Sequence, residues 1–97
     1  HDDVLVAAIS HAVERSHAEL RRDAESRVFR DRYASLTRRE REVFALVVAG
    51  RLNKQVAAEL DISEITVKAH RGKVMRKMKV RSLADLVKAA AKLGIAA

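Results

Sequence analysis

The 97-residue chain contains no cysteine and no proline, and it has only three glycines. Without cysteine, a disulfide framework and a thiolate metal site are both excluded, which agrees with a cytoplasmic protein. Alanine, leucine, valine, arginine and glutamate are abundant instead, and a chain rich in these residues and free of proline favours helix. The composition therefore predicts an all-α fold.

Aromatic residues and long apolar runs are also scarce. The only aromatic residues are Phe29, Tyr33 and Phe44, which argues against a platform that stacks the bases of single-stranded nucleic acid. No apolar run approaches the length needed to span a membrane, and no secretory signal is visible. We therefore expect no membrane partner.

Positive charge is present in excess and is concentrated in one part of the chain. The net charge is +7 overall, but residues 1–35 carry a net −1 and residues 36–97 a net +8. No acidic residue occurs from Ile65 to Ala84, although this stretch contains seven lysines and arginines. Such a basic run is typical of a surface that binds a polyanion, so a nucleic-acid interface is expected only in the C-terminal part.

The stretch from Asn53 to Met78 has the pattern of two helices joined by a tight turn. Asn53 is a suitable N-cap for a short first helix, and Asp61 tolerates the left-handed backbone that such a turn requires. Ser63 is expected to cap the longer second helix. This order predicts a helix-turn-helix whose second helix enters a DNA major groove.

The second helix separates into two faces when its residues are spaced by about 100°. Val67, Val74 and Met78 fall together and are expected to be buried. Arg71 lies at the edge of this apolar face. The opposite face is small or basic, and it consists of Ile65, Ala69, Gly72 and Arg76 flanked by Lys68 and Lys73.

The remaining segments complete a predicted five-helix chain. The sequence pattern of residues 1–35 predicts one long charged linker helix, which has too little apolar surface to be fully buried. Thr37 and Glu40 form a capping-box pattern for the next helix, and Gly50 is suited to end it. Ser82 and Gly94 delimit the last helix in the same way. The predicted architecture is a linker helix (1–35) followed by a four-helix bundle with the helix-turn-helix (36–97).

Residues 36–97 also resemble a known family. The resemblance rests on the ordered segments Leu36-Thr-x-Arg-Glu-x-Glu-Val43, Gly50-x-x-Asn-Lys-x-Val-Ala57, Leu60-x-Ile-Ser63, Thr66-Val-Lys-x-His70, Val74-Met-x-Lys-Met78 and Val80-Arg-Ser-Leu83. Together they resemble the C-terminal DNA-binding domain of LuxR/FixJ/NarL-type bacterial transcription regulators. Residues 2–9, including the apolar segment 4–9, resemble more weakly the last helix of a phosphoacceptor receiver domain.

The resemblance implies a set of DNA contacts. The positions implied to face bases are Lys68, Ala69 and Gly72. Arg76 lies on the same face and is a further candidate. Those implied to hold phosphates are Lys54, Thr66, Lys73 and Lys77, with Arg71 as a further candidate. The apolar stripe of the last helix is open to two interpretations, core or contact with a second copy, and it comprises Leu83, Leu86, Val87, Ala90 and Leu93.

The resemblance also implies a mechanism and partners. The chain is expected to be the effector part of a two-component response regulator in the bacterial cytoplasm, which binds a promoter inverted repeat in double-stranded DNA as a homodimer. A sensor kinase would act only through a receiver domain that this sequence lacks. No cofactor is expected.

Two other functions fit the sequence less well. A sigma-factor-like promoter-recognition domain shares the Leu-Thr-x-Arg-Glu opening, but such domains usually end after the basic helix. A helical protein-interaction module would use the basic face to bind an acidic partner. An enzyme is not expected, because no phosphate-binding loop or clustered carboxylates occur, and His11 and His17 lack the spacing of metal ligands on a helix.

Overall fold

The chain folds into five helices joined by short connectors. The computed structural model describes the backbone of residues 2–95 and the side chains of residues 16–95. The helices are α1 (Asp2–Ala34), α2 (Arg38–Val48), α3 (Asn53–Leu60), α4 (Glu64–Met78) and α5 (Leu83–Leu93). No strand occurs between residues 2 and 95, so the predicted all-α fold with a long first helix is confirmed. The side chains of segment 4–9, which resembles the end of a receiver domain, lie outside the described residues.

Helix α2 begins and ends at the predicted residues. The Thr37 hydroxyl accepts a hydrogen bond from the Glu40 backbone N–H at 3.2 Å, and Glu40 Oε1 accepts one from the Thr37 N–H at 2.9 Å. Two backbone donors that have no partner inside the helix are thereby satisfied. Gly50 follows the C-cap with φ +93°, a left-handed conformation that favours glycine. The predicted capping box and the end of the helix are confirmed.

The core lies between α2, α3, α4 and α5. Its largest fully buried apolar side chains are Phe44, Met78 and Leu86. The three residues predicted to form the apolar face of α4, Val67, Val74 and Met78, are all at most 1% exposed. Helix α4 packs mainly against α2 and α3, and the face opposite Val67 is open to solvent.

The last turns of α1 pack onto this bundle. Phe29 and Tyr33 pack against the core, and the Tyr33 ring meets the Phe44 ring edge to face at a centroid distance of 5.6 Å. Arg32 Nη1 donates a hydrogen bond to the Met78 carbonyl at 3.3 Å. Because these contacts precede residue 36, the packed unit includes the end of the segment predicted to be a linker.

Helix α5 divides its apolar stripe between the core and the surface. Leu86 and Ala90 are at most 1% exposed because they pack inside the bundle, and Leu93 is half-buried against it. Leu83 and Val87 remain 43% and 37% exposed. Of the two interpretations of this stripe, the core therefore applies to Leu86 and Ala90, which corrects their assignment to an interface; contact of Leu83 and Val87 with a second copy stays a prediction.

None of the described helices combines the length and the apolar character that are needed to span a membrane.

Candidate nucleic-acid interface

The turn between α3 and α4 consists of Asp61, Ile62 and Ser63. Asp61 adopts φ 54° and ψ 49°, the left-handed conformation predicted for it. The Ile62 N–H donates to the Ala57 carbonyl at 3.0 Å, which closes the end of α3. Ser63 Oγ accepts from the Thr66 N–H at 3.1 Å and caps α4 as predicted. The predicted helix-turn-helix geometry is confirmed.

The start of α3 differs from the prediction. Leu52, not Asn53, occupies the N-cap position, and its side chain makes no capping hydrogen bond. The Leu52 N–H is satisfied by Gln55 Oε1 at 2.9 Å. Asn53 lies inside the helix, where its Oδ1 accepts a hydrogen bond from Arg71 Nη1 at 3.0 Å. Asn53 therefore links α3 to α4 instead of capping α3.

The outer face of α4 is accessible along its length. Lys68, Ala69 and Arg76 are exposed, and Gly72 is half-exposed. A Cβ added at Gly72 would lie 3.4 Å from Arg76 Nη1, so the Arg76 guanidinium folds back one turn and lies against the glycine. The four residues predicted to face bases thus lie on one exposed face, opposite the buried Val67.

The residues predicted to contact phosphates have different surroundings. Lys54 and Lys73 are exposed. The half-buried Thr66 has its Oγ1 2.9 Å from Ser63 Oγ. Arg71 is half-buried and its guanidinium is held by Asn53. Of these four residues, only the two lysines extend fully into solvent.

Lys77 is engaged inside the domain. Its Nζ lies 2.6 Å from Glu40 Oε1 and 3.3 Å from the Ser35 carbonyl. Glu40 is 1% exposed, and a buried carboxylate without its partner would be strongly destabilising. The Lys77 ammonium group thus neutralises Glu40 in this structure, and its contact with a phosphate stays a prediction.

The environment of Glu40 changes its acidity. Burial raises the pKa of the Glu40 carboxyl, because desolvation disfavours the charged form. The hydrogen bonds from Lys77 and the Thr37 backbone, with the charges of Lys77 and Lys73, outweigh this effect and lower the pKa below the ordinary value of 4.5. The ion pair is therefore charged at neutral pH.

Comparison with known proteins agrees with this geometry. The family model described as bacterial regulatory proteins, luxR family, matches residues 34–90. Nodulation protein W of Bradyrhizobium diazoefficiens is 47% identical over 99% of this chain and 42% of its own length. Transcriptional regulatory protein FixJ of Rhizobium meliloti is 44% identical over 92% of this chain and 44% of its own length.

A solved structure shows the same fold. The crystal structure of full-length FixJ from B. japonicum matches with a TM-score of 0.76 and 37% identity, over 100% of this chain and 48% of that chain. The chain spans less than half the length of these relatives. With the family model covering more than half of its residues, the chain belongs to the luxR family of bacterial regulatory proteins.

Proposed function

We propose that this protein is the sequence-specific DNA-binding part of a transcription regulator and that α4 is its recognition helix. One observation carries the proposal: α4 presents an exposed face of small and basic residues, and no acidic residue occurs from Ile65 to Ala84. A basic helix that packs one face on the core and exposes the opposite face has the shape and the charge to enter a major groove. Membership of a family of regulatory proteins supports this function over an enzymatic one.

Base recognition is assigned to the outer face of α4. Lys68 is exposed, and a lysine ammonium donates to the O6 and N7 acceptors of guanine. The small side chain of Ala69 lets the helix axis approach the bases. Gly72 has no side chain to contact a base, and the Arg76 guanidinium, which lies over the glycine, is assigned that contact instead.

Phosphate contacts are assigned to residues on both sides of this face. Lys54 lies in the first turn of α3 and Lys73 in the middle of α4, and both are exposed. Thr66 and Arg71 are half-buried, and their positions are fixed by Ser63 and Asn53. Contacts of this kind position a protein on the duplex without selecting its sequence.

We also propose that two copies bind an inverted repeat. Leu83 and Val87 are four residues apart on α5, and both remain exposed, so they form a small apolar surface that a second copy would cover. A two-fold interface places the same patch on both subunits, which matches the symmetry of an inverted DNA repeat. Exchanging Val87 for glutamate is expected to prevent a cooperative two-copy complex and leave binding to one half-site intact.

Regulation is proposed to follow the two-component scheme. The relatives include proteins named response regulators, among them TodT of Pseudomonas putida, which is 55% identical over 66% of this chain. In this scheme a sensor kinase acts on a phosphoacceptor domain, which then controls the DNA-binding part.

The alternatives are distinguishable. The sigma-factor-like alternative is disfavoured because the chain belongs to the luxR family and because α5 follows the basic helix. A protein-interaction module would bind an acidic protein partner through the same face. Binding to a defined DNA duplex, displaced by specific but not by random competitor DNA, supports the regulator.

The test begins with selection of duplexes from a random pool by the protein. Fluorescence anisotropy then compares an enriched duplex with a scrambled one over a salt series. We expect tighter binding to the enriched duplex and a log–log salt slope of several units, since each neutralised phosphate contributes about 0.9. Failure to enrich any sequence would contradict sequence-specific binding, and failure to bind DNA at low salt would contradict the whole proposal.

Matched variants separate the two kinds of contact. Lys73→Ala should weaken binding to enriched and scrambled duplexes by about the same factor and reduce the salt slope by about one. Lys68→Ala should reduce the preference between them, by the roughly 1–3 kcal/mol of a good base contact. Arg30→Ala removes one exposed charge from α1 and serves as the control, with binding close to that of the unmodified protein.

A further inference from the structure

Ile65 is an exposed apolar residue that the fold does not use. It is the second residue of α4, and it is 81% exposed. Ile62 packs against the core three residues earlier and Val67 is fully buried two residues later, so Ile65 points away from both. A β-branched residue also adds little to the helix itself. Neither packing nor helix propensity accounts for an isoleucine here.

The position of Ile65 places it with the proposed base contacts. It precedes Ala69 by four residues and Lys68 by three, so the three side chains are neighbours on the helix surface. In a helix-turn-helix, the N-terminal residues of the recognition helix contact base edges. Under the proposed function, Ile65 therefore belongs to the part of α4 that enters the major groove deepest.

The chemistry of the side chain limits what it can contact. An isoleucine has no group that can bind a phosphate or hydrogen-bond a base edge. In the major groove, the C5-methyl group of thymine is the apolar feature. We propose that Ile65 is a specificity-determining residue that packs against the C5-methyl group of a thymine; this inference rests on the proposed function, because it requires α4 to lie in the major groove.

The geometry also limits which thymine is contacted. Side chains one turn apart on a helix are about 5–6 Å from each other, and successive bases on one strand are about 3.4 Å apart. Ile65 and Lys68 are therefore expected to contact positions within about two base pairs of each other. The thymine should lie that close to the guanine whose selection depends on Lys68.

The experiment removes the Ile65 side chain and the thymine C5-methyl group, first separately and then together. Each thymine of the enriched duplex is replaced in turn by deoxyuridine, which lacks only the C5-methyl group. The unmodified protein and Ile65→Ala are compared by anisotropy. We expect one thymine per half-site at which deoxyuridine weakens binding roughly three- to five-fold, the effect of returning about one apolar carbon to water. Ile65→Ala should bind the thymine duplex and the duplex with deoxyuridine at that position equally well.

Controls keep the outcomes distinct. Leu20→Ala truncates another exposed apolar residue, on α1 far along the chain from α4, and should retain full sensitivity to deoxyuridine. Circular dichroism should show unchanged folding for Ile65→Ala, because the side chain is exposed. If no thymine is sensitive, or if Ile65→Ala remains sensitive, the inference is wrong although the proposed function stands. If no duplex is enriched at all, both fail.

Discussion

Lys77 Nζ lies 2.6 Å from Glu40 Oε1 and joins the last turn of α4 to the first turn of α2. The same Glu40 carboxylate closes the capping box with Thr37. Lys77 also donates to the Ser35 carbonyl, directly after α1. The ion pair thus connects α4 to α2, and its lysine also connects α4 to the residue that follows α1.

Removing the charge of Glu40 is expected to destabilise the fold. Glu40→Gln keeps a side-chain oxygen that can accept from the Thr37 N–H, but it leaves Lys77 without its counter-charge. Lys77 is 35% exposed, so water compensates in part, and we expect a loss of about 1–3 kcal/mol in the free energy of unfolding. Urea denaturation at neutral pH measures it.

A double-mutant cycle isolates the pair. Lys77→Met removes the other partner, and the double variant Glu40→Gln/Lys77→Met removes both charges. The sum of the two single losses in unfolding free energy should exceed the loss in the double variant, because each single variant leaves one charge without its partner. Strictly additive losses would show that the ion pair contributes nothing of its own.

The stability contributed by Glu40 should depend on pH in a defined direction. Because the folded-state pKa of Glu40 lies below the ordinary value of 4.5, the folded state binds a proton less readily than the unfolded state. The contribution is therefore fully present above pH 4.5 and is lost as the pH falls through the folded-state pKa. The difference in unfolding free energy between the unmodified protein and Glu40→Gln should shrink over this acidic range. A difference that grows with acidity would contradict the assigned pKa direction.

Local signals were predictable from the sequence because donor and acceptor are only a few residues apart. Thr37 with Glu40, Asp61 at the turn, and Ser63 before α4 each act within one helical turn. The buried face of α4 was also predictable, since helical periodicity alone separates Val67 from the outer residues. These local features are sufficient to predict the turn and α4, whereas the N-cap of α3 is Leu52 and not Asn53.

Long-range contacts were not predictable from the same signals. Lys77 and Glu40 are 37 residues apart, and nothing in the basic run distinguishes a structural lysine from one facing DNA. The α5 stripe showed the same limit: periodicity identified apolar positions, but only packing shows that Leu86 is covered by its own chain and Val87 is not. The base and phosphate contacts remain predictions.

The N-terminus of α3 should be improvable. Leu52 occupies the N-cap with φ −76° and ψ 156°, is 69% exposed and makes no side-chain cap. Leu52→Ser introduces a hydroxyl suited to this position and sacrifices little packing, so we expect a gain of about 0.5–1 kcal/mol. Thermal unfolding measures the gain. Leu52→Ala is the control, and an equal gain in the alanine variant would rule out capping as the cause.

Gly72→Ala should separate stability from DNA recognition. Alanine is favoured over glycine inside a helix by roughly 0.5–1 kcal/mol, and Gly72 lies in the middle of α4, where a Cβ meets only Arg76 Nη1 at 3.4 Å. The thermal midpoint should therefore rise. The added methyl group lies at van der Waals distance from the Arg76 guanidinium and fills the open place above position 72. If Arg76 contacts a base from that place, affinity for the enriched duplex should fall by about three- to ten-fold, the effect of one weakened base contact. Arg76→Ala provides the matched background. If Arg76 contacts a base from the space above Gly72, the double variant Gly72→Ala/Arg76→Ala should differ from Arg76→Ala in stability but not in affinity. An equal loss of affinity in both backgrounds would instead show that the methyl group itself collides with DNA, and that Arg76 does not substitute for a side chain at position 72.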